Sequence, residues 1–255
     1  MFRKFIDKFF LLFYSKDTDR RYVFKLNMPW SNEHKTKQKM IQVSLDLFYE
    51  LGYEKTSVEA IVKKAGVSKG AFFHHFKSKD DVLEAIAEKY SEQVASIMIK
   101  IADDPKMDAV TKFNKIITEG QRHKVLHSAE YRKVGMILYD HKNFTLHHKI
   151  LHIMKSLTQP PIEKVITQGM KEGVFKVEYP AETAEAFMHT LFMMRESFMP
   201  ILKGEVKVEN FEEEILKKVR FTENLINRML GAEPRMIKFP KLNKTLIKLM
   251  KLFIK

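Results

Sequence analysis

The sequence contains no cysteine, which excludes disulfides, thiolate metal sites and thiol nucleophiles. That composition suits a reducing compartment, and we expect a cytoplasmic protein. No glycine-rich phosphate loop, pair of catalytic carboxylates or activated nucleophile stands out along the chain. The sequence therefore predicts a protein that is not an enzyme and that needs no cofactor.

Length and charge set the next limits. With 255 residues and 45% apolar content, the chain can bury a full core and is expected to hold two domains. Its net charge is +13, but residues 1–30 carry +4 and residues 235–255 carry +7, which leaves only +2 for the residues between. The excess charge belongs to the two ends, so any argument for a polyanionic partner must rest on a local patch.

Residues 57–79 read SVEAIVKKAGVSKGAFFHHFKSK, a pattern of two short helices joined by a tight turn. Ser57 is a good N-cap for the first helix, and Gly66 follows its apolar face, where a left-handed residue ends a helix at little steric cost. Ser68 is placed to cap the second helix. This pattern is typical of a helix-turn-helix, in which one helix is held so that its outer face can enter a DNA major groove.

The second helix lies in a basic neighbourhood. Between Ala60 and Lys79 there are five lysines, two histidines and no acid, which suits a phosphate backbone. Glycine costs about 1 kcal/mol against alanine inside a helix, so Gly70 indicates close approach to another surface. The alternative is that the lysines are only a solvated face and the neighbouring aromatic residues only core.

The stretch from about residue 35 to residue 94, roughly a quarter of the chain, resembles the N-terminal domain of the TetR (tetracycline-repressor) family of bacterial transcription regulators. The resemblance implies an all-α fold, with an N-terminal three-helix DNA-binding domain followed by a helical ligand-binding and dimerisation domain. It also implies a homodimer that binds a pseudo-palindromic operator and responds to a small effector. The resemblance depends on Leu51–Gly52–Tyr53, Thr56–Ser57–Val58, Ile61, the run from Ala65 to Gly70, the run from Phe72 to Phe76, Ser78–Lys79 and Val82–Leu83.

Carried over residue by residue, the resemblance implies that the start of the second helix faces base edges and that its flanks meet phosphates. An aromatic residue with a hydroxyl usually occupies the position of Phe73, which cannot donate, so we expect Phe73 to pack on a sugar or a thymine methyl. The base-facing residues are Lys69, Gly70 and Ala71, the phosphate-facing residues are Thr56, Phe73, His75 and Lys79, and Ser57 and His74 complete the predicted DNA-binding set.

Four segments are expected along the chain: an N-terminal extension (1–30), a DNA-binding domain with a linking helix (31–102), a sensing and dimerisation domain (103–232) and a basic tail (233–255). Asp104 and Pro105 are expected to cap and begin the first helix of the sensing domain. Pro160 and Pro161 are expected to break or kink that domain's helical series. Within it we predict helices near 106–126, 129–140, 144–158, 160–172, 181–202 and 208–230, the last two of which would pair with a partner subunit.

Both ends of the chain are basic and amphipathic. The N-terminal segment has three interpretations. It is a disordered arm or an over-extended reading frame whose true start is Met28, it is an extra packing helix, or it makes a weak contact with membrane or DNA. The tail either docks on the body, frays, or touches a membrane surface. A peripheral membrane or lipid-binding protein that uses these ends is thus the alternative function, and an enzyme on a helical bundle has no motif in its support.

Methionines concentrate in the predicted sensing domain, and flexible thioethers suit cavities that accept varied apolar ligands. Ordinary core filling is the alternative. We therefore predict a pocket for a small apolar or amphipathic effector, lined by Met136, Met170, Met188, His189, Phe192 and Arg195. Histidines also lie four residues apart, but two histidines without a third ligand make a weak metal site, so no metal is predicted.

Overall fold

A computed structural model describes residues 32–138, 144–202 and 205–240, and this part of the chain is all-α. Within it, no helix is long and apolar enough to cross a membrane. The predictions for residues 1–30 and 241–255 lie outside the described residues. The helices are α1 (Asn32–Leu51), α2 (Val58–Ala65), α3 (Lys69–His75), α4 (Lys79–Ala102), α5 (Ala109–Leu126), α6 (Ser128–Leu138), α7 (Phe144–Lys171), α8 (Pro180–Leu202) and α9 (Phe211–Met229).

The short helices begin and end where their capping residues predict. The Ser57 hydroxyl accepts a hydrogen bond from the backbone N–H of Ala60 at 3.1 Å, and the Ser68 hydroxyl accepts one from Ala71 at 3.0 Å. Gly66 ends α2 with a φ of +64°, the left-handed conformation that glycine adopts without steric cost. These caps confirm the predicted helix–turn–helix boundaries.

Two clusters of buried side chains hold the helices together. The first joins α1, α2, α3 and the start of α4, where Phe72 is fully buried, and it also takes in Val134 from α6 and Ile150 from α7. The second joins the end of α4 to α5, α7, α8 and α9 around Phe113 and Phe187, whose rings lie 4.9 Å apart. The helix-turn-helix therefore shares its core with helices of the predicted sensing domain.

Two predicted boundaries are wrong. Pro160 and Pro161 lie inside the continuous helix α7 and do not separate two helices. Two carbonyls of α7 lose their usual donors there, but Thr158 and Ile162, on either side, are buried, and this packing outweighs the prolines' effect. The first helix of the sensing domain begins four residues later than Pro105 predicts, because Asp108 caps it by accepting the Thr111 N–H at 2.8 Å.

After α9 the chain turns back and docks on α5 and α9. We call residues 231–240 the strap. Asn227 is 3% exposed, and its side chain bonds both backbone groups of Ile237 at 2.8 Å, as a neighbouring β-strand would. Asn114 of α5 does the same for the N–H of Lys238 and the carbonyl of Met236. Part of the predicted basic tail thus belongs to the folded body.

We expect Asn227→Ala to destabilise the strap, because it leaves the buried N–H and carbonyl of Ile237 without partners, each at about 1–3 kcal/mol. Arg235 and Lys238 should then become sites of rapid tryptic cleavage, and the midpoint of urea unfolding should fall. Asn224→Ala, on the exposed side of the same helix, is the matched control and should change neither measurement. Equal cleavage rates in the Asn227 variant and the wild type would contradict the clamping role.

Candidate nucleic-acid interface

Helix α3 presents one face to solvent and buries the other. Phe72 is fully buried and packs edge-on against Phe73 at 5.4 Å between ring centroids, whereas Phe73 itself is 50% exposed. Lys69, Gly70 and His74 are exposed on the same short helix, and Ala71 and His75 are partly exposed. The structure therefore leaves each residue of α3 that was predicted to meet DNA at least partly exposed.

Acidic side chains reach the basic patch from outside the sequence window that defines it. The Lys69 ammonium lies 2.7 Å from a carboxylate oxygen of Glu59, at the start of α2. The Lys64 ammonium lies 3.0 Å from a carboxylate oxygen of Glu50, at the end of α1. Sequence reasoning missed both pairs because it counted acids along a single stretch of chain, and the helix-turn-helix brings together residues ten or more apart.

Lys79, at the start of α4, holds the α1–α2 turn against the linking helix. Its ammonium donates to the Tyr53 carbonyl at 2.8 Å and lies 4.2 Å from the centroid of the Tyr53 ring. The Tyr53 hydroxyl donates to Asp80, and burial together with that carboxylate raises the pKa of the phenol. The ammonium also donates to the Glu54 carbonyl at 3.4 Å, which leaves one of its three donors to meet a phosphate.

The prediction that Thr56 meets phosphate is wrong for its side chain. Thr56 is 2% exposed, and its hydroxyl donates to the Gly52 carbonyl at 2.8 Å. Its backbone N–H is also taken, by the Tyr53 carbonyl at 3.2 Å. Thr56 closes the turn between α1 and α2, and the neighbouring Ser57 is exposed but uses its hydroxyl as the α2 cap.

The predicted effector-binding residues do not gather at one place. Met170 and Met188 pack on the second buried cluster, whereas Phe192 packs on the first. The His189 side chain is 61% exposed and faces Glu185 at 3.5 Å, so its predicted role inside a pocket is wrong for this conformation. The side chains of Met136 and Arg195 lie outside the described residues.

His123, in α5, lies close to His127, which follows the end of that helix. The His123 and His127 rings lie 4.6 Å apart, and Gln93 of α4 is 3.4 Å from the His123 Nε2. Within the described ranges, no three histidine, aspartate or glutamate side chains lie close enough together to hold a metal ion.

A buried lysine fixes the far end of α4. Lys112 is 4% exposed, and its ammonium donates to the Ala102 carbonyl at 2.8 Å and to the Gln168 amide oxygen at 2.7 Å. A cation at a helix C-terminus is stabilised by the carbonyls that end there. Sequence reasoning did not find this residue, because nothing in the pattern of α5 marks one lysine as buried.

Two segments of the chain match families of known proteins. Residues 40–86 match the family described as "Bacterial regulatory proteins, tetR family", and residues 138–213 match the "Tetracyclin repressor-like, C-terminal domain". An uncharacterised HTH-type transcriptional regulator of Mycobacterium tuberculosis is 36% identical over 100 residues, covering 36% of this chain and 50% of that protein. The chain thus matches about half the length of the mycobacterial relatives.

Solved structures share the fold. A putative TetR-family transcriptional regulator from Syntrophomonas wolfei is 22% identical with a TM-score of 0.60, covering 75% of this chain and 95% of that one. SmeT in complex with triclosan is 17% identical with a TM-score of 0.60, covering 82% of this chain and 98% of that one. SmeT is described as the repressor of a Stenotrophomonas maltophilia multidrug efflux pump.

An exposed second helix in a helix-turn-helix, carried by an all-helical body, defines a DNA-binding regulator. The chain belongs to the TetR family of bacterial regulatory proteins, since residues 40–86 match the family's N-terminal domain and residues 138–213 its C-terminal domain, in chain order.

Proposed function

We propose that this protein is a cytoplasmic repressor, not an enzyme, which binds a pseudo-palindromic operator as a homodimer and releases it when a small effector binds. The observation that carries the proposal is the orientation of α3. Phe72 anchors the helix in the core, while Lys69, Gly70 and Phe73 are exposed to solvent. A helix held in this way can enter a major groove with its N-terminal residues at base edges.

The homodimer is supported by apolar side chains that the single chain leaves uncovered on α8 and α9. Met193 is 68% exposed on α8, and Phe221 is 67% exposed on α9 with Leu225 one turn further on. Large apolar side chains on two neighbouring helices favour burial against a second copy of the same surface. Such a dimer would present two α3 helices to the two halves of an operator.

Release is proposed to act through α4, which is anchored at both ends. Tyr53 and Lys79 hold its first turn to the helix-turn-helix, and Lys112 holds its last carbonyl to α5. A second tie joins Lys164 of α7 to Asp103, at 2.7 Å. A ligand that favours a different packing of α5 and α7 would therefore tilt α4 and change the spacing of the two α3 helices, which lowers operator affinity by population shift.

The proposed effector is a small apolar or amphipathic molecule. The second buried cluster is lined by partly buried methionines, including Met170, Met188 and Met194, whose flexible side chains can repack around varied ligands. The structural neighbour SmeT was solved with triclosan, an apolar aromatic compound. Calorimetry with fatty acids, acyl-CoAs and cationic drugs tests this part, and failure of every class to bind would count against it.

Lys79→Ala tests the DNA contact. We expect it to weaken binding to all sequences alike and to reduce the slope of log affinity against log salt by about one, because one phosphate contact is lost. Lys69→Ala should instead relax sequence preference. Lys171→Ala, which removes an exposed lysine at the end of α7, is the control and should leave the slope unchanged.

Salt titrations of fluorescently labelled operator and of scrambled duplex separate these outcomes. Loss of the Tyr53 contact alone would lower the melting temperature without changing the salt slope, so the slope reports the phosphate. Unchanged operator binding in both lysine variants would show that the contact assignment is wrong.

A further inference from the structure

We propose that Glu59 and Lys69 act as one unit that reads a single C·G base pair in each operator half-site, with Glu59 as a specificity-determining residue. This rests on the proposed operator binding. The family resemblance implies that Lys69 faces bases, whereas Glu59 lies on the helix before the reading helix. The pair adds a carboxylate acceptor beside the lysine at the start of the reading helix.

The geometry places both side chains at the same edge of the helix-turn-helix. Glu59 lies in the first turn of α2 and Lys69 is the first residue of α3, and the two helix starts are fixed by the Ser57 and Ser68 caps. The carboxylate and ammonium are 2.7 Å apart, with the two side chains 65% and 59% exposed. Both groups are therefore available, as an oriented pair, on the solvent side of the base-reading helix.

The chemistry of the pair matches one base pair. In the major groove a cytosine offers an N4 amino donor, which a carboxylate accepts, and the guanine opposite offers the O6 and N7 acceptors, to which a lysine donates. An A·T pair also offers one donor and two acceptors, but its acceptors, adenine N7 and thymine O4, lie on either side of the adenine N6 donor. The adjacent O6 and N7 acceptors of guanine, with the cytosine donor beside them, therefore fit a neighbouring ammonium and carboxylate better.

Stability gives Glu59 only a small role. As the acid in the first turn of α2 it stabilises the helix N-terminus slightly, and its exposed ion pair adds little more, whereas a carboxylate beside DNA is repelled by phosphates. The hydrogen bond from Lys69 holds the pKa of Glu59 below its usual value, so the side chain remains an ionised acceptor near neutral pH. A carboxylate that weakens the attraction for any DNA backbone is useful if it accepts a hydrogen bond from the correct base. At every other base that hydrogen bond is lost, and the carboxylate then disfavours binding.

The pairing also keeps Lys69 out of sequence-independent binding. Because Glu59 neutralises it, the lysine adds little to the attraction for any phosphate backbone. We therefore expect Glu59→Gln to strengthen binding to scrambled duplex and to steepen its salt slope by about one, as a newly unpaired lysine contacts a phosphate.

The test uses the full-length protein. Operator half-sites are first selected from a random duplex library with the wild type, and each position is then varied through all four base pairs for the wild type, Glu59→Gln and Glu59→Ala. We expect the wild type to prefer C·G at one position per half-site by about tenfold, and both variants to lose that preference while keeping the others. Glu50→Gln, which breaks the comparable Lys64 pair at 3.0 Å, should retain it.

The outcomes separate this inference from the function on which it rests. If the wild type binds no duplex sequence-specifically, both fail. If it selects an operator but the Glu59 variants keep every base preference, or lose an A·T preference instead, the inference is wrong and the proposed function stands. Loss of the preference in the Glu50 variant as well would show that charge alone, and no contact from Glu59, sets it.

Discussion

Replacing Gly169 by alanine is expected to destabilise the helical body by about 2 kcal/mol, although alanine is the better helix former. A Cβ on Gly169 would lie 2.1 Å from a ring carbon of Phe175. Phe175 is 3% exposed and packs against Phe113, so its ring has no open space into which it can move. The substitution therefore overfills a close-packed core, and thermal unfolding should show a melting temperature lower by about 4–8 °C.

Gly120→Ala is the matched control. Gly120 lies inside α5, and a Cβ there meets no atom within 4 Å, so the same substitution should stabilise the protein by about 0.5–1 kcal/mol. A double-mutant cycle with Phe175→Leu then measures the clash, since the smaller side chain should absorb part of the Gly169→Ala cost. A neutral Gly169 variant, or strict additivity in the cycle, would show that the ring is not fixed where the structure places it.

Much of the helix-turn-helix could be predicted from sequence because its signals are local. Ser57, Gly66 and Ser68 act within one turn of their own positions, and each one caps or ends the predicted helix. Phe72 and Phe76, four residues apart, are both buried, as the helical period predicts. No distant contact was needed to obtain the correct elements.

The wrong predictions concern features that depend on contacts between residues far apart in sequence. Packing along α7 keeps Pro160 and Pro161 inside one helix, and no local rule gives that packing. Thr56 has a polar side chain in a polar turn, yet its hydroxyl is used within the fold. A count of charged residues along 60–79 did not include Glu59, because only the crossing of α2 and α3 brings its carboxylate to Lys69.

The strap illustrates the same limit at the C-terminus. Composition marks residues 233–255 as a basic tail, and charge alone gives no reason to divide it. Ile237 and Phe239 are nevertheless buried, because the side chains of Asn114 and Asn227 supply the backbone partners that an extended segment needs. Two amides far apart in sequence thus hold residues 231–240 to the folded body.

Phe221→Asp is expected to abolish the dimer and with it most operator affinity. Phe221 is 67% exposed in the single chain, so the folded subunit should survive the change with its helical content intact. At a two-fold interface each substitution occurs twice and buries two carboxylates in an apolar contact. With one α3 per protein in place of two, binding should fall toward the sequence-independent level, a loss of at least about 100-fold.

Analytical ultracentrifugation measures the mass of each variant, and operator titration of the same samples measures its affinity. Tyr179→Asp is the control, because Tyr179 is 60% exposed but precedes α8 in the loop after α7, and it should leave both the mass and the affinity unchanged. If the Phe221 variant remains dimeric, the dimer interface does not lie on this face of α9. A monomeric variant with full operator affinity would overturn the requirement for paired α3 helices, since a single reading helix would then suffice for the whole site.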